Sequence, residues 1–257
     1  MNDLYTTIRY AIGWALYAGV FLLSTTASAQ SNNQFWVEAM SNNPFANVYN
    51  METAFTYATA LTEKPKWSSY DLQVTLDRSF SQNIDLQGSL LISSTIQDDS
   101  LSTREIRPAI GTRIHFTPNR RILTRALIRF ENRNLLNTET DTWSSSNRSR
   151  IRLESLVPFN KPNMFAGDKL WYGLFDAEFF FVLDKNLHER YANRYRFRAA
   201  LGYRLSYTWR FELMYTLQES RNTIGSEFTT TDNIFRVRVR HFLNKAKPSK
   251  VSAGNGN

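Results

Sequence analysis

The stretch "RYRFRAALGYRLSYTWRFELMYTLQ", residues 194–218, alternates charged and apolar side chains. Its first half has arginine at four positions of one parity, and Tyr, Phe, Ala or Leu at every position between them. An amphipathic helix repeats its apolar residues every three or four positions, whereas a strand repeats them every second position. The alternation pauses at Ser206 and resumes at Trp209. The stretch therefore predicts a β-hairpin with one charged face and one apolar face.

The same alternation recurs along most of the chain in segments of roughly 10 to 14 residues, near the length that a tilted strand needs to cross a bilayer. The segments are 47–61, 69–80, 84–97, 104–117, 121–133, 147–157, 169–184, 193–205, 208–219 and 232–242. Their connectors alternate between short turns such as "SQN", "TPNR" and "SYT" and mostly longer polar loops, with "PFNKPNMFAGD" as a long exception among the turns. This order predicts an all-β fold, an antiparallel up-and-down transmembrane β-barrel of about ten strands, with twelve as the alternative. An even number of strands places both chain ends at the rim with the short turns.

The charged parity decides which face of the barrel wall meets water. So many charges do not fit in a dry core, and a charge that faces lipid costs several kcal/mol, so we expect them inside a closed barrel. The residues predicted to line the lumen and to interact with anions are Arg107, Arg113, Arg129, Arg148, Arg150, Arg152, Arg194, Arg196, Arg198, Arg204, Arg236, Arg238 and Arg240. The predicted counter-charges are Asp71, Asp77, Glu105, Glu154, Asp176 and Glu178. Arginine-rich strands opposite acidic strands would create a transverse field that favours anions.

The N-terminus carries one apolar run, "AIGWALYAGVFLL", followed by the small residues "ASA" before Gln30. This arrangement is typical of a cleaved signal peptide, here residues 1–29, and an uncleaved anchor is the alternative. The remaining chain divides into a lead segment at 30–46, the barrel at 47–243 and a flexible basic tail at 244–257. Export and the strand pattern together predict the bacterial outer membrane, with outer-membrane lipid, lipopolysaccharide and the barrel-assembly machinery as partners.

The composition excludes several classes of chemistry. The chain has no cysteine, so disulfides and thiolate metal sites are ruled out. Its three histidines, His115, His188 and His241, lack the spacing of a metal site or of a nucleophile and base, so we expect no metal, no cofactor and no enzymatic activity. The formal charge of +8 suits an acidic partner, but the signal peptide and the apolar parity argue against nucleic acid.

Four motifs resemble a family of uncharacterised bacterial outer-membrane β-barrel proteins, the domain of unknown function 2490 family. They are "EIRPAIGTRIHFTPNRR", "NRSRIRLE", "ERYANRYRFRAALGYRLS" and "DNIFRVRVRHFL", which begin at residues 105, 147, 189 and 232. The resemblance covers nearly all the mature chain, and it implies the barrel rather than an activity. The last strand departs from the usual ending of outer-membrane barrels, because Phe242 has the inward parity.

Three functions fit this pattern. The first is a non-enzymatic outer-membrane barrel with an arginine-lined polar lumen, acting as a narrow channel, a transport accessory or a structural protein of the envelope. The second is an outer-membrane hydrolase of lipid or sugar that uses Asp176, Glu178 or His188. The third is a soluble secreted β-barrel that binds a small ligand, which requires apolar residues inside and charges outside.

Overall fold

The computed structural model describes residues 31–61, 66–97, 102–183, 195–220 and 230–243, and these residues form eleven strands. The strands are β1 (Ser31–Phe45), β2 (Tyr49–Ala60), β3 (Trp67–Ser79), β4 (Ile84–Gln97), β5 (Thr103–His115), β6 (Leu123–Asn137), β7 (Thr142–Pro158), β8 (Leu170–Val182), β9 (Tyr195–Arg204), β10 (Trp209–Ser220) and β11 (Thr230–Phe242). Each of the ten segments read from the sequence corresponds to one of the strands β2 to β11. The prediction of an all-β closed barrel is confirmed.

The sheet closes on itself through a parallel pair. Strands that follow one another in the chain pair antiparallel, and β11 then returns to β1, which runs in the same direction. In an up-and-down barrel neighbouring strands alternate in direction, so an odd number of strands requires one parallel pair. The β1–β11 register runs from Ser31 opposite Thr231 to Asn42 opposite Phe242. The barrel therefore has no unpaired strand edge along this seam.

The first strand corrects the sequence interpretation, in which residues 30–46 precede the barrel. Its residues 31–45 form β1 and pair with both β2 and β11. The period of β1 is weak because asparagine or glutamine occupies both parities near its start, and because Trp36 and Met40 lie on the inward side. The extra strand also separates the chain ends: Ser31 begins β1 at one rim, and Phe242 ends β11 at the other.

The two rims differ in their connectors. The connectors after β1, β3, β5, β7 and β9 lie at one end, which we call the turn rim, and those after β2, β4, β6, β8 and β10 lie at the other, the loop rim. The β6–β7 connector is shorter than the sequence pattern suggests, because both strands extend into it and leave only residues 138–141 between them. There the Asn137 side chain accepts hydrogen bonds from the backbone N–H groups of Glu139 and Thr140, and Asp141 has φ 51°.

The distribution of polarity is the reverse of that in a water-soluble globule. Large apolar side chains cover the outside, with Ile110 69% and Leu213 62% exposed, whereas most of the buried side chains are polar or charged. Two small buried apolar clusters lie on the inward side of β8 to β10 and the β7–β8 connector, one with Met164, Leu170 and Tyr172 and the other with Leu174, Ala200 and Met214. Within the described ranges, no helix is long and apolar enough to cross a membrane.

Candidate functional site

The barrel interior contains a cavity of about 980 Å³. Fifteen arginines and eight carboxylates line it, so cations outnumber anions along the wall. The strand period explains this enrichment, since every second residue of each strand points inward. The cavity is therefore a polar, positively charged lumen.

The structure places nearly all the residues predicted for the lumen around this cavity. Arg194 lies outside the described residues, and the other twelve predicted arginines line the cavity. Of the predicted counter-charges, Asp71, Asp77, Glu105, Glu154 and Asp176 line it as well. Glu178 is 1% exposed and lies against the guanidinium groups of the lining arginines.

Several lumen residues were missing from the predicted set. Arg125, Arg133 and Arg210 also line the cavity, and all three continue the inward parity of their strands. Glu131 lies between Arg129 and Arg133 on the same face of β6 and is 3% exposed. Glu38 is absent from the predicted set because the sequence prediction begins the barrel at residue 47, after β1.

Glu178 is the centre of one ion-pair cluster. Its carboxylate lies 3.3 Å from Arg150 and 3.5 Å from both Arg196 and Arg198. Asp176, two residues earlier on the same face of β8, accepts a hydrogen bond of 2.7 Å from Arg198 Nε. Catalytic acid–base pairs need one carboxyl that holds its proton, whereas here both carboxyl groups lie within 3.5 Å of arginines that compensate their charge. The arrangement is that of a structural network.

Two further clusters tie β5, β6 and β7 together. Arg148 donates to Glu131 Oε2 at 2.6 Å, across the β6–β7 pair. Glu105 accepts a hydrogen bond of 2.6 Å from Arg107 on its own strand and one of 2.8 Å from Arg133 on β6. Because each carboxylate is shared between arginines on different strands or positions, these contacts also hold the inward side chains in place.

The parallel seam is closed by charges as well as by backbone hydrogen bonds. Glu38 on β1 accepts hydrogen bonds from Arg236 at 3.2 Å and from Arg238, both on β11. Arg238 also donates to Glu212 on β10 at 2.9 Å, and Tyr172 Oη donates to the other oxygen of Glu212 at 2.7 Å. One chain of polar contacts thus runs inside the barrel from β1 to β8.

The lumen wall is electrically asymmetric. Strands β1 to β4 contain a single arginine, Arg78, which is exposed. The acidic residues on the inward parity of these four strands are Glu38, Glu52, Asp71, Asp77 and Asp85. Some lining side chains on this side are also small, as at Ala54 and Ser93. The lining arginines all lie on β5 to β7 and β9 to β11, whereas β8 between them carries Asp176 and Glu178.

The turn rim is narrowed by the apolar cluster of Met164, Leu170 and Tyr172. The Tyr172 ring lies over Gly202 on the neighbouring strand: a Cβ at that glycine would be 2.2 Å from Tyr172 Cζ. The absence of a side chain at residue 202 therefore lets the ring lie flat against the wall and reach Glu212. The β7–β8 connector folds inward here and is anchored by Arg204, which donates to the Met164 carbonyl oxygen.

The histidines show no assembled catalytic site in the described part of the chain. His115 Nε2 lies 2.7 Å from Asp85 Oδ2 at the turn rim, which makes it a lumen hydrogen-bond partner. The ring centroid of His241 lies 4.3 Å from that of Trp209. His188 falls outside the described residues. Among those that are described, no three His, Asp or Glu side chains are grouped so as to hold a metal ion.

Comparison with protein families identifies the chain's family. A family model described as "Protein of unknown function (DUF2490)" matches residues 33–229, from the start of β1 to the residue before β11. No curated protein matches the chain.

Proposed function

The chain belongs to the DUF2490 family, and from this premise we propose that it is a non-enzymatic barrel of the bacterial outer membrane whose arginine-lined lumen is a narrow, anion-preferring passage. The observation that carries the proposal is the contrast between the two faces of the barrel wall. The outer face is apolar, and the inner face is charged around a cavity of about 980 Å³.

The apolar exterior supports the membrane location. Ile110 and Phe130, which are neighbours on β5 and β6, and Leu213 on β10 are all more than half exposed. Monomeric soluble proteins rarely expose large contiguous apolar patches, and lipid removes this surface from water. A strand of 12 residues tilted by about 40° rises roughly 30 Å, which matches the hydrocarbon core.

The interior argues against a soluble barrel that binds an apolar ligand. Such a barrel keeps apolar side chains inside, whereas this cavity is lined by fifteen arginines and eight carboxylates. The contacts of the described residues do not favour the hydrolase alternative, because Asp176 and Glu178 both form ion pairs with arginines.

The charge of the wall supports anion preference. A surplus of fixed positive charge raises the local concentration of anions and lowers that of cations. The acidic side at β1 to β4 adds polar groups that water can contact, so water can solvate an ion along this side of the lumen. The narrow turn rim restricts the passage to small solutes.

Planar-bilayer recordings of the refolded protein test this function. We expect discrete conductance steps and a reversal potential in a salt gradient that indicates anion selectivity. Arg152 lines the cavity, so Arg152→Gln should reduce the selectivity, whereas Arg104→Gln, at an exposed position of β5, is the matched control and should retain it. Silence across many insertions would contradict the passage and leave a structural role in the envelope. Cation selectivity would contradict the charge argument.

A further inference from the structure

Three arginines stand side by side near the turn rim. Arg204 on β9 is the register partner of Arg210 on β10, and Arg210 is the register partner of Arg240 on β11. All three point inward and line the cavity. We call them the arginine row. Directly opposed residues have Cβ atoms roughly 4.5 to 5.5 Å apart, and like charges at such positions are destabilising.

Elsewhere on the wall, opposed or neighbouring arginines share a carboxylate: Arg129 and Arg150 are also register partners, but Glu131 lies 3.8 Å from the first and 3.0 Å from the second. Two residues further along the strands, on the same inward face, the sequence of partners is Glu212, Arg238 and Glu38, and the arginine contacts both carboxylates. The arginine row has no carboxylate between its members. Its neighbours at either end are Leu170 and Met40, which are apolar.

Nearby carboxylates compensate the row only in part, through the attraction of Asp168 for Arg204 and of Glu212 for Arg210 and Arg240. Among the described residues, the ion pairs within 4.0 Å include one for Arg240, to Glu52 at 3.7 Å, and none for Arg204 or Arg210. That Glu52 oxygen also accepts a hydrogen bond from Asn42 Nδ2 at 2.9 Å. Glu212, two residues from Arg210, has its oxygens engaged by Tyr172 and Arg238.

Donor atoms in the row also lack partners. Arg204 is 4% exposed, and its Nε is buried without a hydrogen bond, as is the Nε of Arg210. The known contacts of these guanidiniums are the Met164 carbonyl oxygen for Arg204 and the Phe242 ring for Arg210, at 4.2 Å from the ring centroid. A buried charged donor without an acceptor is costly, and an anion would supply one.

We propose that the arginine row is a binding site for a phosphate group. Guanidinium groups match the geometry of phosphate oxygens and remain charged at any working pH, so three of them can share one dianionic group through several charge-assisted hydrogen bonds. The proposal deepens the passage proposed above, because a solute that crosses the lumen passes this row. It does not depend on conduction, since the site belongs to the folded barrel.

Thermal unfolding in a non-ionic detergent tests the site with inorganic phosphate as the probe. The midpoint is measured for the wild type, for Arg210→Gln and for the control Arg148→Gln, with sodium chloride at equal ionic strength as the reference. Arg148 lies in the loop half of the lumen, and its partner Glu131 keeps Arg150 at 3.0 Å after the change. A ligand that binds only the folded state raises the midpoint with its concentration.

We expect phosphate to raise the midpoint of the wild type and of Arg148→Gln beyond the effect of chloride, with an affinity at least about tenfold weaker for Arg210→Gln. Without phosphate, Arg210→Gln should unfold no earlier than the wild type, because the substitution relieves repulsion within the row. A fold damaged by the substitution would instead lower that midpoint in both salts.

Micelles doped with phosphatidylglycerol distinguish a lipid headgroup from free phosphate as the source. Stabilisation of the wild type but not of Arg210→Gln by the lipid alone would support the site with a headgroup as its occupant. Equal responses of all three proteins to phosphate and chloride, together with no effect of the lipid, would overturn the proposal. Conductance without phosphate binding would contradict only this inference. Phosphate binding without conductance would contradict only the proposed passage.

Discussion

Replacement of Ile110 by arginine is the sharpest test of the orientation of the wall. Ile110 is the most exposed large apolar side chain of β5, with 69% of its surface accessible, and one of its two register partners is Gly88. It lies five residues from His115 and seven from Thr103. At about 3.3 Å per residue and a tilt near 40°, these distances correspond to rises of roughly 13 and 18 Å, close to the middle of a bilayer.

The expected cost follows from that depth. An arginine that faces lipid near the midplane costs about 2 to 4 kcal/mol, and near the interface only about 0 to 1 kcal/mol. Because Ile110 is poorly packed, the loss of its own contacts adds little. Phe116, 56% exposed and one residue beyond β5, provides the matched position at the turn rim. Ile110→Arg should therefore reduce the free energy of unfolding by about 2 kcal/mol or more relative to Phe116→Arg.

Urea unfolding in phosphatidylcholine vesicles, followed by tryptophan fluorescence, measures the difference. Ile110→Ser is the control for loss of the side chain without added charge, and it should lie near the wild type. In a soluble barrel both arginines would point into water and neither would matter. If Ile110→Arg and Phe116→Arg are both within about 0.5 kcal/mol of the wild type, as for ordinary surface substitutions, the membrane assignment is wrong.

Two further predictions concern the interior. Glu178→Gln should lower the free energy of unfolding by about 3 to 5 kcal/mol, because it removes the charge of the carboxylate that three arginines share inside the barrel. Its control is Glu139→Gln in the exposed β6–β7 connector, which should have no measurable effect in the same urea experiment. Gly202→Ala should lower the free energy of unfolding by about 1 to 3 kcal/mol, because its Cβ would overlap the Tyr172 ring and break the contact with Glu212. Gly88→Ala should be neutral, because nothing lies within 4 Å of the new Cβ. Equal stabilities of these two variants would contradict the packing described at the turn rim.

The strand period made most of the fold predictable. Residues 194–218 already contain the hairpin of β9 and β10, and the same period located every strand from β2 to β11 to within a few residues. The parity of a side chain is a local property, because successive residues of any strand point to opposite faces. For that reason the sequence alone predicts that Arg198 and Arg238 face the lumen, whatever strands pair with theirs. The same rule places Arg133 and Glu131, near the end of β6, on the inward face, although the predicted set does not include them.

The sequence by itself thus determined which face of each strand is charged, while the tertiary structure alone decided how the strands close and which charges meet. β1 carries no clear period, and its place depends on pairing with β11, roughly 200 residues away in the chain. Ion pairs such as Glu38 with Arg238 follow from that register. So does the arginine row, since three arginines become neighbours only when β9, β10 and β11 align, and a two-residue shift of β10 would place Glu212 between Arg204 and Arg240 instead.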